Sequence, residues 1–478
     1  MLRAAVAFAV CLPLSAQAIK PPILDRYETG LRLRAVEREL AKASDGALRA
    51  AGLRELDAAV QAFFRLDLSQ VARRLDRAGW ALQGRSPEPG QRWAAAVQLS
   101  LAPRLVPSSA SSIQLWLAMS YDPSVEMPEG CELSIWQPGN PQPRFRAQIR
   151  EVPCALELPL GDLATGDLTL RATLSHGRSL LAERPLFFAR VDELGKRLDQ
   201  LDSAVGAEDR PAEPGPVGPD LERSTLAWLV EMLRGMTTTK REETVLPAVQ
   251  MLEEAEGLAA SLAARRKHYT ATRQGQFWLR VPVRQGTIPV RWLAPPPPEP
   301  APTLRPLIVA LHGAGGSENL FFDGYGDGAI VALAAARGWF VVAPRLGMMG
   351  GPDVAAVVDV LAERWPIDRN RVAILGHSMG AAAAVATACK HPTRYAAVAA
   401  LGGGGNVPKR AELGNLRWYV AAGEHDFGRT GALALHQRLE ALGANSQFHE
   451  FPTVEHLAIV QFALPAVFAH FDAAFAAR

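Results

Sequence analysis

The chain has 478 residues, of which 48% are hydrophobic and 21% are charged. This length and apolar content are sufficient for at least two domains, each with its own core. The formal net charge is +2 and no long run of one sign occurs, so charge gives no basis for binding nucleic acid or an anionic membrane.

The first residues have the pattern of a secretory signal peptide. Arg3 precedes an apolar run over residues 4–14, and Ala16-Gln17-Ala18 forms a small-residue cleavage site. The run is shorter than the roughly 20 residues that a membrane-spanning helix needs. We therefore predict that residues 1–18 are removed, and that the mature chain has no integral membrane segment and is periplasmic or secreted.

Residues 19–90 are predicted to be a helical N-terminal segment, because apolar residues recur at helical spacing between Leu31 and Leu82. The sequence pattern then changes to short runs of alternating apolar and polar residues, such as Ile113–Leu117, which are separated by Pro and Gly. Such runs predict a β-sandwich-like accessory domain over residues 91–190.

A helical connector is predicted for residues 191–268, interrupted by a Pro/Gly-rich linker at 207–219.

Exported proteins meet an oxidising compartment, and three cysteines remain after signal removal. Cys131 and Cys154 share the strand-rich region, so we expect them to form a disulfide. Cys389 is then expected to be a buried thiol.

The last predicted domain spans residues 269–478, and two strands within Gln276–Leu293 are expected to open its sheet. Arg305–Leu311 is a buried strand that ends in His312-Gly313-Ala314-Gly315-Gly316. Glycines in such a loop let backbone N–H groups approach a bound carbonyl. The predicted oxyanion donors are Ala314 or Gly313 together with Met379, and His312 is predicted to shape the loop.

A sharp turn with one serine at its tip follows the apolar strand Arg371–Leu375. Gly376-His377-Ser378-Met379-Gly380 is the G-x-S-x-G nucleophile elbow, and an Ala-rich helix follows it. A Cβ at either glycine would collide with the neighbouring strand or helix. Ser378 is therefore the predicted nucleophile.

A serine nucleophile needs a histidine base and an acid that orients it. Asp426 follows the strand Arg417–Gly423, and His456 follows the strand Ser446–Phe451. Glu424 is an alternative acid, two residues before Asp426. The order serine, acid, histidine is that of α/β-hydrolases.

His425 lies between Glu424 and Asp426, which raises the question of a metal site. No second histidine stands at a metal-ligand spacing. A solvated loop histidine is the prediction, with no metal and no cofactor.

With these motifs, residues 304–478 resemble an α/β-hydrolase catalytic domain. The resemblance is nearer to secreted esterases, polyhydroxyalkanoate-depolymerase-like enzymes and prolyl-oligopeptidase-like peptidases than to lid-bearing lipases. It implies a doubly wound, mostly parallel sheet. Ala381 stands where many relatives have a second glycine after the elbow, which leaves the mechanism untouched.

The expected function is hydrolysis of small-molecule or polymer esters through a Ser378-His456-Asp426 triad and an acyl-enzyme. Peptide hydrolysis uses the same machinery and stays open, as does a non-catalytic binding role. Loop position predicts that the pocket is lined by Phe321, Phe322, Met348, Met349 and Phe427. The sequence leaves the oligomeric state open.

Overall fold

The computed structural model of the chain describes residues 8–10, 12–13, 24–207, 220–299, 304–347, 353–409 and 412–478. The predicted cleavage site, nearly all of the Pro/Gly-rich linker, and Met348 and Met349 lie outside the described residues.

The first part of the chain combines helices with strands of 2 to 13 residues. In chain order, its elements are β1 (Phe8–Val10), β2 (Leu12–Pro13), α1 (Arg26–Lys42), α2 (Gly46–Phe64), α3 (Leu68–Leu82), α4 (Pro89–Ala96), β3 (Val97–Ala102), β4 (Leu105–Pro107), β5 (Ser112–Met119), β6 (Cys131–Trp136), β7 (Phe145–Gln148), β8 (Cys154–Pro159), β9 (Gly166–His176), β10 (Ser179–Val191), α5 (Leu194–Gly206), α6 (Leu221–Met236) and α7 (Ala248–Ala263).

Strands β3 to β10 contribute to two sheets that share one core. One sheet has the order β1-β7-β6-β9-β10-β4, and the other has the order β2-β8-β5-β3. Leu115 and Leu117 of β5 and Leu133 and Ile135 of β6 are fully buried in the same apolar cluster. Burial alternates along β7 and β8, as expected for strands with one face on the core, whereas β3 is buried at every residue but the last.

The predicted disulfide is wrong. Cys131 begins β6 and Cys154 begins β8, so the two residues belong to different sheets, and no disulfide joins them. Both side chains are buried in the shared core, where burial raises the pKa of the Cys131 thiol to about 12. A thiol in such surroundings is a small apolar side chain and not a nucleophile. Cys389 is half-buried, not fully buried as predicted.

Internal contacts divide the chain into two compact units that differ from the predicted domain boundaries. The first comprises residues 1–32, 61–208 and 229–259, and the second comprises residues 33–60, 209–228 and 260–478. The helical segment and the connector are thus each divided between units. Amphipathic helices bury their apolar faces against a neighbouring core, so they need not form a unit of their own.

The second part of the chain alternates strands and helices. Its elements are β11 (Gly275–Val283), β12 (Gly286–Ala294), β13 (Arg305–Leu311), α8 (Leu320–Asp323), α9 (Tyr325–Ala335), β14 (Phe340–Pro344), α10 (Val354–Ala362), β15 (Ile367–His377), α11 (Met379–Lys390), β16 (Ala397–Leu401), β17 (Arg417–Gly423), α12 (Arg429–Ala441), β18 (Asn445–Phe451) and α13 (Ala458–Ala476).

These strands form one sheet of eight, in the order β11-β12-β14-β13-β15-β16-β17-β18. β11, β12 and β14 pair antiparallel, and all later pairs are parallel. Every residue of β13, β14 and β16 is buried, as expected for parallel strands covered by helices on both faces. The carboxyl ends of the parallel strands therefore meet along one edge.

Within the described residues, α13 is the one helix long and apolar enough to cross a membrane by length and composition. More than half of its most apolar stretch is buried against the rest of the protein. Its buried side chains include Leu464, Val467, Phe468 and Phe471. An apolar helix is expected at this position because it covers the central strands of the sheet.

Candidate active site

Ser378 lies at the tip of a tight turn between β15 and α11. Its backbone has φ 57° and ψ −117°, a conformation that side-chain-bearing residues rarely adopt. A Cβ at Gly376 would lie 2.0 Å from the Gly380 carbonyl oxygen, and one at Gly380 would lie 2.0 Å from the Leu311 carbonyl oxygen. The glycines of the elbow are thus required by close backbone contact, as predicted.

His456 and Asp426 form a buried pair at the same edge of the sheet. His456 Nδ1 lies 2.7 Å from Asp426 Oδ1, and the two residues are 2% and 4% exposed. The carboxylate accepts, so the imidazole proton stands on Nδ1 and Nε2 is left as a proton acceptor. This is the tautomer that a general base needs.

The structure also distinguishes the two candidate acids. Glu424 is exposed, and its Oε2 accepts the Thr453 amide at 2.9 Å. Asp426 Oδ1 accepts from the Gly428 amide at 2.7 Å as well as from His456. Asp426 is thus the acid that contacts the histidine, as predicted.

The loop after β13 reaches the elbow but uses one of its predicted donors elsewhere. A Cβ at Gly313 would lie 3.4 Å from Ser378 Cβ, so the loop borders the serine. However, the Gly313 N–H donates to the Tyr325 hydroxyl at 3.2 Å. This corrects the proposed role of Gly313 and leaves Ala314 and Met379 as the candidate oxyanion donors.

His312 shapes the loop, as expected. Its Nδ1 donates to the Gly313 carbonyl at 2.8 Å, and its Nε2 accepts the Leu346 amide at 2.9 Å. The imidazole thereby holds the turn after β13 to the segment after β14.

The predicted pocket residues divide into two groups. Phe427 is 56% exposed, and its ring centroid lies 3.9 Å from that of His456, so it stands at the site. Phe321 and Phe322 are 0% and 5% exposed, which contradicts their predicted place in the pocket wall. Phe321 packs edge-on against Tyr325 instead, with centroids 4.8 Å apart, because α8 turns its aromatic face into the core.

Sequence reasoning missed three buried polar residues. Tyr325 Oη lies 2.6 Å from His377 Nδ1, and His377 Nε2 lies 2.8 Å from the His456 carbonyl oxygen. Burial holds the pKa of His377 well below its ordinary value, so the ring is neutral. The place of His377 inside the elbow motif is a signal that could have drawn attention to it, whereas nothing local identifies Tyr325.

Glu455, the third residue, is 1% exposed and directly precedes His456. Its carboxyl accepts the amides of Leu457 at 2.9 Å and Ala458 at 2.6 Å, at the start of α13. Burial, with smaller contributions from Asp426 and Asp57, raises the pKa of Glu455 to about 8. An acidic residue just before a predicted helix is the sequence signal for such a cap.

No group of three or more His, Cys, Asp or Glu side chains suited to a metal ion occurs within the residues that the structure covers. His425 is exposed, and its backbone amide donates to the Val454 carbonyl at 3.0 Å.

The elbow, the buried acid–histidine pair and the strand order together define the class: the second unit has the fold of the α/β-hydrolase superfamily.

Comparison with known proteins gives matches over part of the chain. Residues 355–408, which include the elbow, match a family model described as "Putative esterase". "Putative esterase NocK" of Nocardia uniformis subsp. tsuyamanensis is 34% identical over 116 residues, which are 21% of this chain and 34% of that protein. The chain thus spans about a third of the length of this curated relative.

Solved structures give similar matches over part of the chain. An S-formylglutathione hydrolase from Staphylococcus aureus has 15% identity and a TM-score of 0.35, covering 42% of this chain and 99% of that chain. A feruloyl esterase module from Clostridium thermocellum has 13% identity and a TM-score of 0.34, covering 42% and 87%.

Proposed function

We propose that this protein is an exported serine hydrolase that cleaves carboxylic esters through a triad of Ser378, His456 and Asp426. The observation that carries the proposal is the buried Asp426–His456 pair, whose atoms lie 2.7 Å apart. The pair lies at the carboxyl ends of the strands, the same edge of the sheet as the strained turn at Ser378. The match to an esterase family model over the elbow supports ester chemistry.

In the proposed reaction, His456 Nε2 takes the proton of the Ser378 hydroxyl as its oxygen attacks the ester carbonyl. The amides of Ala314 and Met379 stabilise the oxyanion, because backbone donors fixed in advance need no reorganisation as charge develops. His456 then protonates the leaving alkoxide. Water attacks the acyl-enzyme by the reverse proton transfers and releases the acid.

Asp426 stabilises the imidazolium that forms in each step, since its Oδ1 accepts the Nδ1 proton. The exposed ring of Phe427 covers one face of His456 and offers an apolar wall to the substrate. A partly apolar acyl or leaving group is therefore the proposed substrate class.

The test is reaction of the mature protein with a fluorophosphonate probe, followed by turnover of p-nitrophenyl acyl esters of increasing chain length. Wild-type labelling and turnover that both vanish in Ser378→Ala are expected. Labelling without ester turnover would favour a peptidase. Absence of labelling in a folded wild-type protein would favour a binding protein and reject the proposal. Recovery of the mature chain, beginning at Ile19, from the periplasm or medium would test export.

A further inference from the structure

The Tyr325 hydroxyl joins three parts of the candidate site. It accepts the Gly313 N–H at 3.2 Å and lies 2.6 Å from His377 Nδ1. His377 is neutral and carries one proton, which stands on Nε2 because the His456 carbonyl can only accept. Tyr325 therefore donates to His377, and His377 donates to His456. This chain of hydrogen bonds connects the loop after β13, the elbow and the backbone of the histidine.

Tyr325 begins a turn whose backbone is left-handed at four successive residues. Tyr325, Gly326, Asp327 and Gly328 have φ values of 24°, 69°, 57° and 75°. A Cβ at Gly328 would lie 2.1 Å from the Phe322 carbonyl oxygen, so the turn is also tightly packed. Non-glycine residues persist in this conformation only where the surroundings hold them. The position of the Tyr325 hydroxyl therefore depends on what holds this turn, residues 325–328.

Helix α1 supplies two side chains that hold turn 325–328. The Glu37 carboxyl, 4% exposed, is buried beside this turn, where the backbone N–H groups of Gly326 and Asp327 favour its charged form. Successive backbone N–H groups in a turn can form a concave site that favours a carboxylate. The Arg38 guanidinium donates from Nε and Nη2 to the two carboxylate oxygens of Asp327, both at 2.9 Å. The turn is thus held directly by the two Arg38–Asp327 hydrogen bonds, and the buried Glu37 carboxyl interacts favourably with its backbone N–H groups.

We propose that Glu37 and Arg38 are positioning residues of the active site. By holding turn 325–328, they fix the position of the Tyr325 hydroxyl. Through its hydrogen bonds, this hydroxyl then positions the loop after β13, His377 and the His456 backbone. This inference rests on the proposed function, since the site it serves is the one centred on Ser378. Helix α1 precedes the predicted catalytic domain by more than 200 residues, yet residues 33–60 belong to the same compact unit as the site.

Because the Arg38–Asp327 pair is exposed, a positioning role for it can be distinguished from a purely stabilising one. The Arg38 and Asp327 side chains are 53% and 46% exposed, and exposed ion pairs contribute little to overall stability. If the Arg38–Asp327 pair serves only stability, Arg38→Ala should change both Tm and kcat little, because an exposed pair stabilises the fold only slightly. If it positions the turn, Arg38→Ala lowers kcat while Tm and KM stay nearly unchanged.

The experiment is a double-mutant cycle of Arg38→Ala and Tyr325→Phe in the full mature chain, with p-nitrophenyl ester turnover and thermal unfolding as readouts. We expect Arg38→Ala to lower kcat about three- to tenfold and Tyr325→Phe about tenfold or more, each with KM within about twofold of wild type. The double variant should be no slower than Tyr325→Phe, because Arg38 acts through Tyr325. Arg38→Lys should restore part of the loss, since an ammonium still pairs with Asp327.

Lys42→Ala is the matched control, because Lys42 lies on the same helix, is 71% exposed and pairs with Glu39. It should retain wild-type kcat. Glu37→Gln is a second test, because an amide oxygen keeps one acceptor for the turn, and it should lose less activity than Glu37→Ala. If Glu37 variants fail to fold, the exposed Arg38 variants still decide the question.

Wild-type kcat in Arg38→Ala, or losses that multiply in the double variant, would overturn the positioning role even though Ser378-dependent turnover persists. A wild-type protein with neither labelling nor turnover would instead reject the proposed function, and the inference with it.

Discussion

Replacing Asp426 by Asn separates the charge of the orienting acid from its geometry. Two donors, His456 Nδ1 and the Gly428 amide, both point at Asp426 Oδ1 at 2.7 Å. An asparagine must therefore keep its carbonyl oxygen in that place and put its NH₂ group at the position of Oδ2. The hydrogen bond to His456 and its tautomer are then preserved, and the variant loses mainly the negative charge beside the imidazolium.

The size of the effect follows from Coulomb's law. Unit charges about 4 Å apart interact by about 4 kcal/mol at an effective dielectric constant of about 20. Since each 1.36 kcal/mol is tenfold in rate, kcat should fall by about a thousandfold. KM should change little, because the imidazolium exists only in the transition state and later species. Oδ2 is buried and has no hydrogen-bond partner within the described structure, so burying an NH₂ group there should also cost about 1–3 kcal/mol of stability.

The assay is initial-rate kinetics on p-nitrophenyl esters, with thermal unfolding to check the fold. Glu424→Gln is the matched control, because its exposed carboxylate bonds the Thr453 amide and not the histidine. It should stay within about threefold of wild type. An Asp426→Asn variant within about tenfold of wild type would refute the reasoning. A Glu424→Gln variant that lost more would move the acid's role to Glu424.

Three further predictions concern the surroundings of the site and the core. Phe427→Ala should lower kcat/KM about tenfold for long-chain or aryl esters and less for acetates, because an apolar wall is lost; an equal loss on all esters would mean that the ring acts on His456 alone. The raised pKa of Glu455, about 8, means that the folded protein holds this proton more tightly than the unfolded chain. Stability should therefore decline as pH rises from about 4.5 to 8, and Glu455→Gln should flatten the Tm–pH curve, whereas parallel curves would contradict this. Thiol titration of the mature chain in denaturant without reductant should find three thiols, and a count of one would restore the disulfide between Cys131 and Cys154.

Much of the candidate site could be predicted because short sequence motifs indicate its residues. The elbow is a five-residue motif whose glycines are required by contacts within a few residues and one strand away. Asp426 and His456 each follow a strand, and parallel strands bring their carboxyl ends to one edge. The order of the motifs along the chain was therefore enough to predict the acid–histidine pairing that the structure shows.

Predictions that needed packing information were the ones that failed. Loop position suggested that Phe321 and Phe322 face a pocket, but which way a short helix turns its side chains depends on the core beneath it, and both are buried. Similar strand patterns suggested a disulfide, but whether two cysteines in a shared core come within bonding distance is decided by long-range packing. Gly313 had the right position for an oxyanion donor, yet a tyrosine twelve residues later takes its N–H.

The sequence by itself predicted the mostly parallel sheet of the last part of the chain and the serine, acid and histidine proposed as its triad, because motif chemistry and strand order are local or sequential properties. Only the tertiary structure decided that Tyr325 and His377 link the loop after β13 to the His456 backbone. It also decided that Arg38 pairs with Asp327 in the turn that carries Tyr325, beside the buried Glu37. These contacts join residues 12 to 289 positions apart, which leaves no periodicity or spacing in the chain, so they exist only once the fold has brought the residues together.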